Sequence, residues 1–382
     1  MMSKSKQAVN DVLNRRQPEY IPLGTYAIDC DTAARIIGHE TYVRNKIKIQ
    51  VALWEGRRDE VVQSLKEDSV ELFRKLDCID VIVPMKEAPI LPPKNYSPPR
   101  VKKIDDTTWE LDDGSVYRCS YLTNDISIVK HPSKEYVLED FIKKAEESIP
   151  DDSIFEAYDH LVEHMKNERF LAGASGGFEP MVLLGGMEEG FVKYFEEPDL
   201  VKAAIEYEVR KANFLDKYYI RDGIDQVFVE GDFASTGGPF MSPAMFREFC
   251  FPAIEERVKN IKKYRDKVML HSCGKTWSLI DMFIEGGIDC LQSLQTGAGM
   301  DIKKLKEKYG SRMSFWGGVG VENLVDGTPD DVRKDVRYAM KHGSPNGGFI
   351  LGPSHSIAYG TKYDNFMAML DEYDKLKYQC SC

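Results

Sequence analysis

A histidine and a cysteine two residues apart, His271 and Cys273, end the apolar run KVMLHSCG (267–274), and a second histidine, His355, ends GGFILGPSH (347–355). Residues i and i+2 of an extended strand share a face, so the imidazole and the thiol point one way while Ser272 points the other. Two imidazoles and one thiol from two strand ends form a soft set of three donors with a fourth position free. That is the arrangement of a catalytic zinc, whereas a structural zinc is closed by four protein ligands. Two plainer readings compete. The three side chains can be packed and hydrogen-bonded without a metal, or His271 can activate Cys273 as a nucleophile, although no third group to orient the pair is evident.

Other chemistry-bearing residues also fall at the ends of apolar runs. Glu230 and Asp232, in IDQVFVEGD (224–232), are two apart and face one side, which suits a proton donor or acceptor, a fourth ligand, or a partner for a ligating histidine. Equally, one of them can cap a neighbouring loop. Gln295 and Tyr26 are candidates for contact with a cofactor, and Asp29, Glu87 and Glu179 are weaker candidates. The glycine-rich GASGGFEP (173–180) has neither a lysine nor a GxGxxG spacing, so it suits close approach of a flat ligand or a plain loop, not a phosphate cradle.

These residues share a position because the elements around them repeat. Eight apolar runs, at 20–27, 78–84, 168–175, 224–232, 267–274, 288–295, 312–320 and 347–355, alternate with amphipathic helical patterns. In MSPAMFREF, Ser242 is the N-cap and Pro243 fits the first turn of such a helix. Eight β-then-α units predict an α/β fold, a single (β/α)8 TIM barrel over residues 1–382, and in that fold the reactive groups gather at the carboxyl ends of the strands. Residues 85–125 form an irregular insert after strand two, in which TTWELDDGSVYRCS predicts a β-hairpin turning at Asp112–Gly114.

Composition removes several functions. The 382 residues carry a formal charge of −11 with both signs interspersed, which argues against nucleic acid as a partner. No apolar run reaches the roughly 20 residues of a membrane span, and the first residues lack the apolar core of a secretion signal, so a cytoplasmic location is expected. The eight cysteines are scattered and read as reduced thiols. The terminal Cys380 and Cys382 are too close to the end to hold a metal geometry.

In order along the chain, GDFASTGGPFMSPAMFREFCFPAI, HSCG, GGIDCLQ, LKEKYGSRMSFWGGV and GGFILGPSHSI resemble the uroporphyrinogen decarboxylase superfamily, which includes zinc-dependent corrinoid methyltransferases. The resemblance runs from about Gln17 to Tyr373 and implies a single (β/α)8 barrel. The decarboxylases carry an arginine-rich segment after strand one and a catalytic aspartate after strand two. Here YIPLGTYAIDCDTAARIIG offers only Arg35, and VIVPMKEAP offers Lys86 and Glu87. A substrate with many carboxylates needs clustered arginines, so porphyrinogen decarboxylation is disfavoured. The methyltransferase branch has a His-x-Cys at strand five, matched by His271 and Cys273, and a third zinc ligand, usually cysteine, at strand eight. Here His355 holds that place.

The resemblance therefore implies transfer of a methyl group between a corrinoid protein and a small molecule, a thiol or a methoxylated or methylated compound. Zn2+ would lie on His271, Cys273 and His355, Asp232 and Glu230 would be catalytic, and Gln295 and Tyr26 would meet the corrinoid. The cobalamin belongs to the partner, because YDHLVEH (158–164) lacks the glycine of a cobalamin-binding segment and reads as a helix. The insert, with Tyr96, Trp109 and Tyr117, is expected to form part of the docking surface, and a homodimer is left open. Two alternatives stand beside this reading: a metal-free decarboxylase-like lyase acting on a small carboxylic acid or tetrapyrrole, and a non-catalytic tetrapyrrole-binding barrel.

Overall fold

A computed structural model describes residues 2–132, 134–142 and 147–378, so Cys380 and Cys382 lie outside the described residues. Seven of the eight apolar runs form strands where expected, and the insert adds four more. They are β1 (Val81–Ile82), then four strands of the insert, β2 (Val101–Lys103), β3 (Thr108–Leu111), β4 (Val116–Ser120) and β5 (Asp125–Lys130), then β6 (Phe170–Gly173), β7 (Gln226–Glu230), β8 (Val268–His271), β9 (Cys290–Ser293), β10 (Ser314–Val319) and β11 (Phe349–Pro353). Seven of them make one parallel sheet in the order β1-β6-β7-β8-β9-β10-β11. Helices cover its outer face, which is why β7 to β11 are almost wholly buried and read as continuous apolar runs.

The eighth strand is the main correction to the expected barrel. Residues 20–27 do not form a strand; Leu23 bridges Leu351 of β11 and Gly24 bridges Val81 of β1. The sheet is an open, curled (β/α) sheet whose edge strands are joined through these two residues. Local chemistry explains the short bridge. Pro22 has no N–H to donate, and a Cβ on Gly24 would lie 2.6 Å from the indole of the fully buried Trp316.

One inner face of the sheet encloses Val81, Phe170, Phe228, Met269, Trp316 and Ile350 in a single apolar cluster. The first helix, Lys4–Leu13, adds Val9, Val12 and Leu13 to that cluster, and Ser314, at the start of β10, donates to the Val12 carbonyl at 2.8 Å. The helix therefore plugs the end where the strands begin, leaving the opposite end for a site. Ser242 caps its helix as expected, its Oγ accepting from the Met245 N–H at 3.2 Å with Pro243 in the first turn. The segment 158–164 lies within the helix Glu156–Met165.

The insert is larger than a hairpin. It is a four-stranded antiparallel sheet in the order β2-β3-β4-β5, and it extends beyond residue 125 to Lys130. The turn falls where the sequence placed it, with Gly114 at φ 85° between β3 and β4. Trp109 and Cys119 are buried beneath the sheet with Ile47, packed by Val51 and Trp54 of the helix Lys46–Trp54. Among the described residues no helix is long and apolar enough to cross a membrane.

Candidate metal centre

Strand alternation builds the site. Phe228, Met269 and Cys290 face the inner cluster on β7, β8 and β9, so the residues two positions on, Glu230, His271 and Gln292, form the next inward layer. Register aligns them, since Glu230 pairs with His271 and His271 with Gln292 across neighbouring parallel strands. A carboxylate, an imidazole and an amide thus stand side by side above an apolar floor.

His271, Cys273 and His355 each place a ligand atom within 4.8 Å of the other two. A four-coordinate zinc, with bonds of about 2.0–2.3 Å, keeps its ligand atoms roughly 3.5 Å apart, so small rotamer changes close this set around an ion. His271 is buried and Cys273 half-buried. The Nδ1–H of His271 donates to Gln292 Oε1 at 2.5 Å, which fixes the tautomer and leaves the Nε2 lone pair for a ligand. Gly274, at φ 80°, brings the Cys273 loop against the backbone of Ala234 and Ser235, where a Cβ would collide with carbonyl oxygens. His355 follows β11, with its Nδ1 3.1 Å from Ser356 Oγ.

The electrostatics suit a cation. Burial lowers His271 below the ordinary imidazole value despite the nearby Asp232 and Glu230 carboxylates. Burial, and then the adjacent His271, pushes His355 down to about 4, so both rings are neutral and free to coordinate. Burial pushes the Cys273 thiol up to about 12, with Asp232 adding to the rise. A bound divalent ion supplies the positive charge that this thiolate lacks. The donor set therefore fits zinc.

The other expected residues separate into two groups. Asp232 lies at the mouth, its Oδ1 3.7 Å from His271 Nε2 and accepting from the Cys273 N–H at 3.2 Å. Glu230 sits one layer deeper, accepting from the Tyr26 hydroxyl at 2.6 Å and ion-paired with Lys86. Burial alone would raise the Glu230 carboxyl, but the Lys86 ammonium and the hydrogen bonds from Lys86 and Tyr26 outweigh it and hold it low. Tyr26 also stacks on His271, with centroids 4.3 Å apart and planes at 10°. Gln295 accepts from the Gly274 N–H at 2.8 Å. Glu87 is buried beneath the mouth, one oxygen accepting from the Ile28 N–H at 3.0 Å, and Glu179 is exposed on the glycine-rich loop.

Two positions beside the candidate site were not singled out from the sequence. Gln292 was legible in principle, as a polar residue on the inward alternation of an apolar strand. Arg44 was not. The arginine that reaches the mouth is Arg44, from beyond the helix Cys30–Ile37, whose Nε donates to the buried Asp29 at 2.9 Å. Arg35 instead stands over the Tyr363 ring. In the insert, the expectation of three docking rings is corrected at Trp109 alone. Trp109 is buried, Tyr117 packs edge-on against Trp54 at 5.2 Å, and the Tyr96 hydroxyl donates to the Leu53 carbonyl, so these aromatic rings attach the insert to the body of the chain.

A curled parallel sheet flanked by helices, with a His/Cys/His cluster at the strand ends, defines a (β/α) protein with a metal-binding motif. The chain belongs to the uroporphyrinogen decarboxylase (URO-D) family, whose profile matches residues 123–376. Among solved structures, a methyltransferase from Methanosarcina mazei has a TM-score of 0.64 and covers 98% of this chain and 99% of its own at 17% identity, a likeness of fold. The A. niger ochratoxinase is similar over 55% of this chain and 53% of its own, with a TM-score of 0.26 and 15% identity, too little to bear on the site. No curated protein matches the chain.

Proposed function

We propose that this chain is a cytoplasmic, zinc-dependent methyltransferase that moves a methyl group between a corrinoid protein and a small thiol or a methoxylated or methylated compound. The whole chain, 1–382, acts as one unit, with the insert beside the mouth. The observation that carries this reading is the convergence of His271, Cys273 and His355, with both imidazoles held neutral at an open strand-end mouth.

Zinc, when bound there, supplies the positive charge that makes a thiol more acidic or an ether oxygen a better leaving group. The chain's own residues do the rest. His271, fixed by Gln292 and by the Tyr26 ring, presents Nε2 to the mouth. Asp232, the carboxylate nearest that nitrogen, is placed to take the proton of a thiol or to return one to a departing alkoxide. Glu230, held ionised by Lys86 and Tyr26, keeps negative charge close to the site and strengthens its hold on a cation. The corrinoid arrives with its carrier protein. The tip of the insert touches the start of the helix Cys30–Ile37, Asn124 Nδ2 donating to Cys30 Sγ at 3.0 Å, and it exposes Tyr121 and Leu122 to such a partner.

Family membership and Arg44 in the mouth favour a second reading, a metal-free lyase acting on a small carboxylic acid. Zinc-loaded and chelator-treated protein, each assayed with free cob(I)alamin plus methoxylated compounds and with methylcobalamin plus thiols, separates the two. Methyl transfer that disappears with the metal and returns with zinc supports the methyltransferase. Turnover of a carboxylic acid that is indifferent to chelation supports the lyase and contradicts it.

A further inference from the structure

Four consecutive residues at the end of β9, Gln292 to Gln295, touch all three donor-bearing segments. Gln292 Oε1 accepts from His271 Nδ1 at 2.5 Å. Ser293 Oγ donates at 2.6 Å to the carbonyl of Ser354, the residue before His355. Gln295 Oε1 accepts at 2.8 Å from the N–H of Gly274, the residue after Cys273. On a regular strand residues 292 and 295 would face opposite sides, so no extended backbone makes all three contacts.

The backbone instead turns through two successive left-handed residues, Ser293 at φ 116° and Leu294 at φ 44°. Neither is glycine, both are buried, and the region is sparsely populated by residues with a side chain. The turn is also closely covered, because a Cβ on the facing Gly317 would lie 2.7 Å from the Ser293 carbonyl oxygen. Strain of this kind persists where the surroundings over-determine it, and it clusters at functional sites.

We propose that Gln292–Gln295 is a positioning clamp for the metal centre, a strained turn that sets the relative placement of His271, Cys273 and His355 at a cost to the stability of the metal-free chain. This inference rests on the metal reading above. Gln292, Ser293 and Gln295 are positioning residues, acting on a ligand or on the backbone next to one.

The test uses cobalt(II) in place of zinc, because its visible bands report donor type and geometry independently of turnover. Ser293→Ala removes one arm of the clamp, Leu294→Gly relaxes the turn, and Asn346→Gly relaxes a left-handed residue elsewhere, at φ 63°. Ser293→Ala and Leu294→Gly are expected to weaken cobalt and zinc binding at least tenfold and to shift the cobalt bands. Leu294→Gly also deletes a buried side chain, so it is read against Leu294→Ala: both should melt below the wild type without metal, Leu294→Gly should melt at or above Leu294→Ala, and Asn346→Gly should leave affinity and spectrum as in the wild type. Variants with wild-type affinity and spectrum would overturn the clamp alone. So would affinity lost only in proportion to the melting temperature of the metal-free protein. A wild-type protein that takes up no cobalt would overturn the metal reading itself, and the clamp with it. Should Ser293→Ala not fold, the comparison of Leu294→Gly with Leu294→Ala, which both lose the buried side chain and differ in the strain of the turn, decides the question.

Discussion

Tyr26 lies face to face with His271, ring centroids 4.3 Å apart, and its hydroxyl reaches past that ring to Glu230 at 2.6 Å. One side chain thus sets the plane of a proposed ligand and holds the charge of a proposed catalytic carboxylate. Tyr26→Phe keeps the stack and loses the hydrogen bond, so zinc affinity should change by less than about threefold, because the bond lies one layer away from the donors. Tyr26→Ala removes a buried ring, with an expected loss of about 3–5 kcal/mol in stability and a much weaker hold on zinc. Calorimetric zinc titration and denaturant melts of both variants check this. Equal zinc affinity in the two would show that the stack does not position His271.

His355→Cys should still load with zinc but work more slowly. A second thiolate cancels the net positive charge that one thiolate and two neutral imidazoles leave on the ion, so a thiol held there is less acidified. Its activity optimum with a thiol substrate should move to higher pH. Steady-state rates across pH, normalised to measured zinc content, decide it, and a faster variant with an unmoved optimum would be the contrary result.

Glu87 links stability to pH. Burial, opposed by Arg44, raises its carboxyl from 4.5 to about 8 in the folded chain. Between those values the unfolded chain releases this proton and the folded chain keeps it, so stability falls as pH rises from 4.5 to 8 and the loss is complete above 8. The full effect is at most about 5 kcal/mol. Glu87→Gln should remove it and be more stable than the wild type near pH 8 but not near pH 4. Urea melts at the two pH values measure the difference, and the same gap at both would contradict it.

The insert separates two roles that the sequence had merged. Trp109→Ala empties the small core under the four-stranded sheet and should loosen it by about 3–5 kcal/mol, seen as faster proteolysis between residues 101 and 130. Leu122→Asp changes a side chain that is 86% exposed at the tip and should leave the fold and reaction with free cobalamin unchanged. It should slow transfer from a protein-bound corrinoid several-fold. Equal rates with both corrinoid forms would remove the tip from the docking surface.

Most of this fold could be read because parallel strands covered on both faces carry continuous apolar runs, as VFV at 227–229 and FILG at 349–352 do. His271 and Cys273 were legible for the same reason, standing where such a run ends. The first strand was misread because YIPLGTYA has the composition of a strand but not its ladder. Pro22 lacks a donor, and Gly24 is set by Trp316, 292 residues away in sequence. Trp109 was assigned to a partner because sequence spacing does not reveal the helix Lys46–Trp54 beneath it. Arg44 was passed over since it sits on no strand, and the turn at Ser293 and Leu294 has no local signal, its residue types being ordinary for a strand.

Whether His271, Cys273 and His355 hold one zinc ion is tested most directly by X-ray absorption at the zinc edge. Loaded wild-type protein should show one sulfur at about 2.3 Å and two imidazole nitrogens at about 2.0–2.1 Å. Cys273→Ala should bind zinc at least a hundredfold more weakly while melting like the metal-free wild type, and any residual spectrum should lack the sulfur shell. A wild-type protein that takes up no zinc from zinc-replete solution, or a spectrum that Cys273→Ala leaves unchanged, would contradict the claim.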